Sequence, residues 1–277
     1  VYALAYKTSS NRGNIRTFKV AANGSISSLY VLQFESSSTE ETSLIQLKGD
    51  LFLLAYPGSG NDGMLKSYNI GTNGSISGLK TLEHNTANGW APALHKMTDS
   101  TAVLVYSDHD NSTHEIKTFH VASDGTITEK KKVKISDNKG YWNSIAQVDS
   151  DTYLIAAQAK DEDGYLYTYN ISPDGTSITK VAELEFDEYK TRFNELYNLG
   201  SNSFLLAHAG SDQTTGTFGG TYTKIFTVPA DGSKIKQIYN TKISDQSHSQ
   251  IGLSKLDADT YLMADSRHSN DGYLQSL

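Results

Sequence analysis

The sequence of 277 residues contains no cysteine, which excludes disulfide bonds, thiolate nucleophiles and zinc sites with cysteine ligands. It also lacks an excess of positive charge, since 24 lysine and arginine residues stand against 31 aspartate and glutamate residues. Nucleic-acid binding needs basic side chains that neutralise phosphates, so we expect no nucleic-acid partner. The longest fully apolar run, Leu51 to Tyr56, is far shorter than a membrane-spanning helix of about 20 residues. We therefore expect no insertion into a membrane.

The composition is that of a folded chain. Hydrophobic residues make up 37% of the sequence, and 22 glycines accompany them, which is enough to bury a substantial core at this length. The absence of cysteine does not itself fix the cellular compartment. Because the chain opens with Val1 and shows no secretory signal, we expect it to be processed or excerpted from a longer protein.

A short apolar segment recurs along the whole chain, with its first residues separated by 50, 50, 51, 51 and 57 positions. The copies are Tyr2–Tyr6, Phe52–Tyr56, Ala102–Tyr106, Tyr153–Ala157, Phe204–His208 and Tyr261–Asp265. Asn-Gly or Asp-Gly pairs keep the same spacing, and they begin at Asn23, Asn73, Asp124, Asp174 and Asp231. Two motifs with one period predict tandem repeats, and the longest step indicates one insertion.

Each repeat reads as four short strands. In the second repeat they are predicted over Ser43–Leu47, Leu51–Tyr56, Met64–Ile70 and Ile76–Leu82. The second strand is apolar throughout, as expected for a strand that is buried on both faces. Asn-Gly and Asp-Gly are strong hairpin signals because both central residues of a type I′ turn need positive φ. No repeat contains a helical pattern, so the sequence predicts an all-β fold.

In its architecture the chain resembles the β-propeller superfold, whose blades are four-stranded antiparallel sheets. The resemblance covers the whole chain as a single domain, 1–277, with blades of about 50 residues and six blades in the complete ring. The predicted units are 1–36, 42–86, 92–136, 143–187, 194–244 and 251–277, of which the first and the last are partial. Neither the Gly-His and Trp-Asp signature of WD40 blades nor a kelch pattern is present. A generic β-sandwich is the alternative fold, but it gives no reason for a constant spacing.

The strand count leaves both ends of the predicted ring incomplete. The first unit lacks its first strand and the last unit lacks its fourth, so 22 strands, or five and a half blades, are visible. Three interpretations stay open: a trimmed chain, a ring that closes on five blades with a surplus copy, and ends that neighbouring chains complete. Unpaired sheet edges template further pairing, so the third interpretation describes an assembling, filament-type protein.

The connections predicted on one face of the propeller vary, whereas the turns on the other face are short and repetitive. Variable loops on a repetitive scaffold are where binding usually resides. Aromatic rings cover the apolar face of a sugar while carboxylates, amides and guanidinium groups bond its hydroxyls, so we expect a glycan at the variable face. The predicted ligand-binding residues are Trp90, Tyr141, Trp142, Asn143, Tyr189 and Arg192.

Catalysis is the alternative function of this face, as a polysaccharide lyase or a glycoside hydrolase. A neutralising Arg or His together with a Tyr or His base would act at a sugar carboxylate or a glycosidic bond. The candidates are Tyr189, Arg192, His248, Arg267 and His268. They do not form a recognised catalytic motif, and we therefore favour a non-catalytic protein.

Metal binding is a third interpretation of the polar loops. The nitrogen and oxygen ligands would come from Asp108, His109, Asp110 and His114. Two further segments, Asp161–Gly164 and Asn270–Gly272, could offer oxygens to Ca²⁺, but neither has EF-hand spacing. Asp-Gly is also chosen for turns alone. We expect no cofactor, with Ca²⁺ as the alternative.

Four Asn-x-Ser/Thr triplets begin at Asn23, Asn73, Asn111 and Asn170. Asn111 is the most accessible candidate for glycosylation, because Asn23 and Asn73 already have a turn to make. Glycosylation would imply export. The sequence thus favours a non-catalytic β-propeller at the cell surface or outside the cell, a binding or assembly module whose partner is a glycan or neighbouring copies of itself.

Overall fold

The computed structural model describes residues 1–211, 218–246, 249–266 and 272–277. Within these residues the chain forms 21 strands, two single turns of 3-10 helix at Ser59–Asn61 and Lys160–Glu162, and no α-helix. The strands are β1 (Tyr2–Lys7), β2 (Gly13–Val20), β3 (Ile26–Glu35), β4 (Ser43–Lys48), β5 (Leu51–Pro57), β6 (Gly63–Ile70), β7 (Ile76–Asn85), β8 (Gly89–Lys96), β9 (Thr101–Asp108), β10 (Thr113–Val121), β11 (Ile127–Ser136), β12 (Tyr141–Gln147), β13 (Thr152–Gln158), β14 (Asp163–Ile171), β15 (Ile178–Gly200), β16 (Ser203–Ser211), β17 (Phe218–Thr227), β18 (Lys236–Ser244), β19 (Ser249–Lys255), β20 (Tyr261–Ser266) and β21 (Gly272–Ser276). No helix in these ranges is long and apolar enough to cross a membrane.

The predicted all-β class and the strands of the second repeat are confirmed. The strands β4 to β7 begin within one residue of the predicted positions, and each pairs antiparallel with the next. The apolar strand β5 is buried over Leu53–Pro57, because neighbouring side chains cover it on both faces.

The chain divides into two compact units. The N-terminal unit consists of residues 1–139 and 173–177 and contains the sheets β1–β3, β4–β7 and β8–β11. The C-terminal unit consists of residues 140–172 and 178–277 and contains a seven-stranded sheet, β12–β18, and the sheet β19–β21. Sequential strands pair antiparallel in every sheet of the described residues. Local connections of this kind give a separate sheet to each of the first three repeats and to the last, whereas the fourth and fifth repeats share the seven-stranded sheet.

Strand β15 differs from the sequence prediction. The sequence predicted two strands separated by a loop that carries Tyr189 and Arg192, whereas β15 continues from Ile178 to Gly200. Its first part pairs with β14 and its second part, from Thr191, pairs with β16. Since no glycine or proline lies between Ile178 and Leu199, nothing in the sequence breaks the strand. The described residues therefore hold 21 strands instead of 22.

The first strands of four repeats each contain a bulge that the sequence did not predict. The bulges contain one residue each with positive φ, namely Ala91 (51°), Trp142 (53°), Phe193 (55°) and Gln250 (54°). A shift of pairing register accompanies each of them. Bulged residues interrupt the alternation of apolar and polar side chains, so the pattern indicated strands that start too late. Both tryptophans consequently lie inside β8 and β12, and not before them.

Consecutive repeats are joined by a hydrogen bond from a hydroxyl group to a glycine carbonyl, which we call the hydroxyl–glycine bond. The donor lies on the third strand of one repeat, and the acceptor is the glycine of the Asn-Gly or Asp-Gly turn of the next. The pairs are Thr17 Oγ1 to Gly74 O (2.7 Å), Ser67 Oγ to Gly125 O (2.7 Å), Thr118 Oγ1 to Gly175 O (2.6 Å) and Thr168 Oγ1 to Gly232 O (2.8 Å). The turns therefore also hold the preceding repeat in place.

The core of each unit is built from the recurring apolar segments. Leu54 and Leu104, the third residues of their segments, are fully buried, but the equivalent Leu4 on the edge strand β1 is 52% exposed. In the C-terminal unit, Leu166 on β14 is fully buried, whereas the equivalent Leu274 on the edge strand β21 is 74% exposed. Positions that are core elsewhere in the repeat are thus uncovered at β1 and at β21.

Candidate functional site

A polar cavity of about 300 Å³ lies in the C-terminal unit. Strands β15 to β18 supply its lining, which consists of Glu185, Phe186, Asp187, Glu188, Tyr189, Ser211, Tyr222, Lys224, Gln237 and Asn240. We call it the β15–β18 cavity. It combines two phenol rings with carboxylates, amides, a hydroxyl and an ammonium group. Of the residues predicted to bind a ligand, Tyr189 is part of this lining.

Strand geometry aligns the polar side chains of the β15–β18 cavity. On a regular strand, side chains two residues apart share a face. Shifts of pairing register between Glu185 and Lys190 interrupt this alternation in β15, and five consecutive residues, Glu185 to Tyr189, line the cavity. The Tyr189 N–H donates to Asp187 Oδ1 over 3.2 Å, which fixes the local backbone. The same spacing puts Tyr222 and Lys224 on one face of β17.

Lys224 of β17 contacts two lining residues of β15. Its side chain is buried, and Nζ donates to Phe186 O over 2.6 Å and lies 3.3 Å from Asp187 Oδ2. Burial lowers the pKa of Lys224, and the charge of Asp187 opposes this change. The equivalent residues Lys66 and Lys117 of the N-terminal unit donate to a carbonyl in the same way, also over 2.6 Å. Lys224 is therefore first a structural residue, which holds Asp187 in position.

His208 supports the aromatic part of the cavity. The ring is fully buried, stacks on Tyr222 at 5.6 Å and meets Phe186 edge-on at 5.2 Å. Its Nε2 faces Asp187 Oδ2 at 3.8 Å. Burial, and then the charge of Lys224, lowers the pKa of His208 to about 3, so the ring is neutral at physiological pH. Because the imidazole is neutral, it does not form an ion pair with Asp187. In the described part of the chain, the cation that pairs with Asp187 is Lys224.

The rim of the cavity is acidic. Glu185 and Glu188 are exposed, and no ion pair within the described part of the chain joins either of them to a cation. Asp163 lies next to this rim, and its pKa is raised to about 6 by burial and then by the charge of Glu185. The charge of Glu185 therefore opposes the ionisation of Asp163.

The remaining predicted residues of the C-terminal unit gather at the bulges of β12 and β15. The rings of Trp142 and Phe193 lie 4.1 Å apart at an angle of 49°. Asn143 Nδ2 donates to Gly140 O over 3.3 Å, Tyr141 pairs with a strand residue opposite, and Arg192 is exposed. Aromatic residues at positive φ are uncommon and store strain. This aromatic pair is separate from the lining of the β15–β18 cavity.

Trp90 belongs to the N-terminal unit. Its ring stacks on His109 at 5.6 Å with an angle of 29°, and Lys139 Nζ lies 3.4 Å from His109 Nδ1. The sequence also missed a cavity of about 420 Å³ in this unit, at turns that were interpreted as purely structural. Its lining is Lys48, Asp50, Leu51, Asn69, Leu79, Asp99, Ser100, Val121 and Ser123. Lys48 Nζ lies 3.3 Å from Asp99 Oδ2, so the charged groups of this cavity satisfy each other.

The predicted metal ligands have other partners. Asp108 accepts hydrogen bonds from the N–H and the side chain of Asn111, Asp110 accepts one from Asn88, and His114 is fully buried. No group of three or more histidines and carboxylates in the described ranges is arranged for a metal ion. Of the predicted calcium segments, Asp161–Gly164 contains Glu162, whose Oε2 lies 2.9 Å from Lys190 Nζ. The segment Asn270–Gly272 lies outside the described residues except for Gly272.

The predicted catalytic residues are only partly placed. Tyr189 and Arg192 both lie on β15, whereas His248, Arg267 and His268 fall outside the described residues. The catalytic interpretation therefore stays a prediction.

Of the four predicted glycosylation sites, Asn23, Asn73 and Asn111 are exposed and Asn170 is half-buried, and their hydrogen bonds differ. The side chains of Asn23 and Asn73 each accept the N–H of the residue two positions on, over 3.0 Å, as a turn requires. Asn170 accepts a hydrogen bond from Thr152, and Asn111, although its amide donates to Asp108, is exposed. Asn111 remains the favoured candidate.

The sequence could have indicated the β15–β18 cavity through one signal. Lysine recurs on the third strand at Lys66, Lys117 and Lys224, and a lysine inside an otherwise apolar and hydroxyl-rich strand needs an internal partner. The carboxylates of the rim gave no such signal, because acidic residues on an outer strand are ordinarily solvated.

Comparisons with known proteins show structures of similar fold but no protein family to which the chain can be assigned. No family model matches the chain, and no curated protein sequence matches it. Solved structures are similar in large number, with 464 matching chains, so the architecture itself does not discriminate between functions.

Three similar structures illustrate this. A Bacteroides fragilis protein with a provisional 6-phosphogluconolactonase assignment is 12% identical, with a TM-score of 0.55, over 99% of this chain and 92% of its own. A Dyadobacter fermentans protein of unknown function is 12% identical, with a TM-score of 0.60, over the same shares. Saccharomyces cerevisiae Sqt1 is 13% identical, with a TM-score of 0.51, over 84% of this chain and 60% of its own. At such identities the likeness shows an all-β fold and no activity.

Proposed function

We propose that the protein is a six-bladed β-propeller that acts outside the cell or at its surface as a non-catalytic binding module, with a glycan as its ligand. The repeat period, the four-stranded sheets and the likeness to all-β structures over the whole chain support the propeller. Function on such a scaffold depends on its sites, so the ligand is argued from the β15–β18 cavity.

The lining of the β15–β18 cavity carries the glycan proposal. Tyr189 and Tyr222 offer rings for the apolar face of a sugar, while the carboxylates and the amides of Gln237 and Asn240 offer acceptors and donors for hydroxyl groups. Its volume of about 300 Å³ is at the lower end of the range for small-molecule sites. It therefore suits one sugar ring of a longer chain.

The test is retention of the protein on a glycan array, comparing the natural chain with Tyr189→Ala. Loss of one aromatic ring from a sugar contact removes about 1.5 kcal/mol, so we expect retention to fall about tenfold. The far-UV circular dichroism of the variant should stay unchanged.

Trp142→Ala is the matched control, because it removes an aromatic ring from the same unit outside the cavity. We expect it to bind as the natural chain does. If Trp142→Ala lost retention while Tyr189→Ala kept it, the site would be the aromatic pair and not the cavity. Retained oligosaccharides should be recovered intact by mass spectrometry, and shortened or unsaturated products would replace this proposal by the lyase or hydrolase alternative.

Assembly with further copies is a second candidate function, and the exposed core positions favour it. Leu4 and Leu274 occupy repeat positions that are buried elsewhere, and β1 and β21 are edge strands with free pairing capacity. A neighbouring strand on each edge would cover these residues.

Light scattering coupled to size exclusion tests assembly. We expect the natural chain to form species above its monomer mass and the double variant Leu4→Glu with Leu274→Glu to be monomeric, because buried charges at a strand edge prevent pairing. Ile238→Glu serves as a control, since Ile238 is also an exposed apolar residue but lies on β18, and not on β1 or β21. A natural chain that stays monomeric at high concentration would refute assembly.

A further inference from the structure

We infer that the ligand of the β15–β18 cavity carries a positive charge and that its class is an amino sugar with a free ammonium group. This inference rests on the proposed glycan binding and specifies the chemistry of the bound sugar.

The charges of the lining do not balance. Three carboxylates, those of Glu185, Asp187 and Glu188, face one ammonium group, that of Lys224. Burial, and then the charge of Glu185, raise the pKa of the neighbouring Asp163. A cation within a few ångströms of such a rim gains Coulomb energy, whereas an anion is repelled.

The positive groups near the cavity are already used. Lys224 is 4% exposed, and its Nζ is occupied by Phe186 O and Asp187. Lys242 lies by the ring of Tyr222 but pairs with Asp245 at 2.8 Å. Lys190 pairs with Glu162 at 2.9 Å. An anionic sugar would have to displace one of these pairs in order to bind.

Asp187 has acceptor positions left for a cationic ligand. The fully buried His208 presents Nε2 towards it at 3.8 Å and makes no hydrogen bond with that atom among the described residues. The distance is too long for a hydrogen bond, so the donors to Asp187 in the described part of the chain are Lys224 and one backbone N–H. A carboxylate has about four acceptor positions, which leaves room for the ammonium or hydroxyl groups of a sugar.

The test compares two oligosaccharides with the same backbone, β-1,4-linked glucosamine and its N-acetylated form, which differ in charge. Calorimetric titration in slightly acidic buffer, in which the amines are charged, should show the amine form binding at least tenfold more tightly. Added salt should weaken its binding and leave the acetylated form unaffected, because salt screens the exposed charges.

The double variant Glu185→Gln with Glu188→Gln locates this preference. Exposed charge pairs are each worth up to about fivefold in affinity, so we expect the amine oligosaccharide to bind about fivefold more weakly and the acetylated one to be unchanged. Glu183→Gln is the control: Glu183 lies on the same strand but pairs with Lys180 outside the lining, and its substitution should change neither affinity.

The outcomes separate the two proposals. Equal binding of both oligosaccharides, or tighter binding of the acetylated form or of an oligogalacturonate, would overturn the amino-sugar inference and leave glycan binding in place. Absence of binding to any of the three and to the whole glycan array would overturn glycan binding itself.

Discussion

Gly125→Ala should destabilise the N-terminal unit by about 3 to 5 kcal/mol. Gly125 has a φ of +85°, and a Cβ at this position would lie 2.6 Å from both Ser67 Oγ and Leu79 Cβ. The left-handed conformation costs alanine about 1 kcal/mol, the crowding adds about 1 to 3 kcal/mol, and displacement of the turn breaks the hydroxyl–glycine bond from Ser67, worth about 1 kcal/mol. Urea unfolding followed by circular dichroism measures the change.

Gly24→Ala is the matched control for this substitution. Gly24 has nearly the same conformation, with a φ of +81°, in the same kind of turn, but nothing lies within 4 Å of a Cβ there. Only the backbone cost remains, and we expect about 1 kcal/mol. Equal effects of the two substitutions would show that the turn of Gly125 contributes nothing to the contact between repeats.

Glu195→Gln should stabilise the protein by about 3 kcal/mol at pH 8 and not at all at pH 4. Burial raises the pKa of Glu195 from its ordinary 4.5 to about 7. The folded state therefore binds this proton more tightly than the unfolded state, and ionisation opposes folding. The stability of the natural chain falls as the pH rises from 4.5 to 7 and is lowest above 7, and glutamine removes this loss.

The physical cause is the register of Glu195 on β15. It pairs with Ala207 as Ser144 pairs with Ala156, and the Ser144 hydroxyl accepts the Leu196 N–H over 3.0 Å. A carboxylate thus stands where another repeat uses a neutral hydroxyl. Thermal unfolding at both pH values measures the effect, with the exposed Glu83→Gln as the control. A stability difference that is the same at pH 4 and pH 8 would contradict the titration of Glu195.

The sequence was sufficient for the strands and their order, because two motifs with one period constrain every repeat together. Short apolar segments such as Leu51–Tyr56 indicate strands when turn residues bound them, and an Asn-Gly turn after a strand of alternating polarity indicates an antiparallel return. These signals depend on a few neighbouring residues, so they can be recognised without knowing how the repeats pack.

The bulges and the continuous strand β15 could not be predicted in this way. Trp142 and Phe193 are bulky residues that disfavour positive φ, so their conformations result from the surrounding sheet and not from their own preference. The junction of β15 has neither glycine nor proline, and so no residue there ends a strand. The repeat pattern, with four strands in each repeat, nevertheless predicts a loop at this point.

Of the residues that line the β15–β18 cavity, the sequence predicts one, Tyr189, as ligand-binding. The other walls of the cavity come from β16, β17 and β18, and only the folded chain brings Lys224 to Asp187, 37 residues earlier in the sequence. Outer strands such as β18 carry polar residues in any case, so Gln237 and Asn240 did not differ from ordinary surface residues in the sequence.

The direction of the hydroxyl–glycine bonds has a consequence for biosynthesis. In the N-terminal unit each donor precedes its acceptor, by 57 residues for Thr17, 58 for Ser67 and 57 for Thr118. A ribosome therefore releases every donor about one repeat before the glycine that completes its bond has been translated. During synthesis, each repeat can therefore form its hydroxyl–glycine bond only after the turn of the next repeat has left the ribosome.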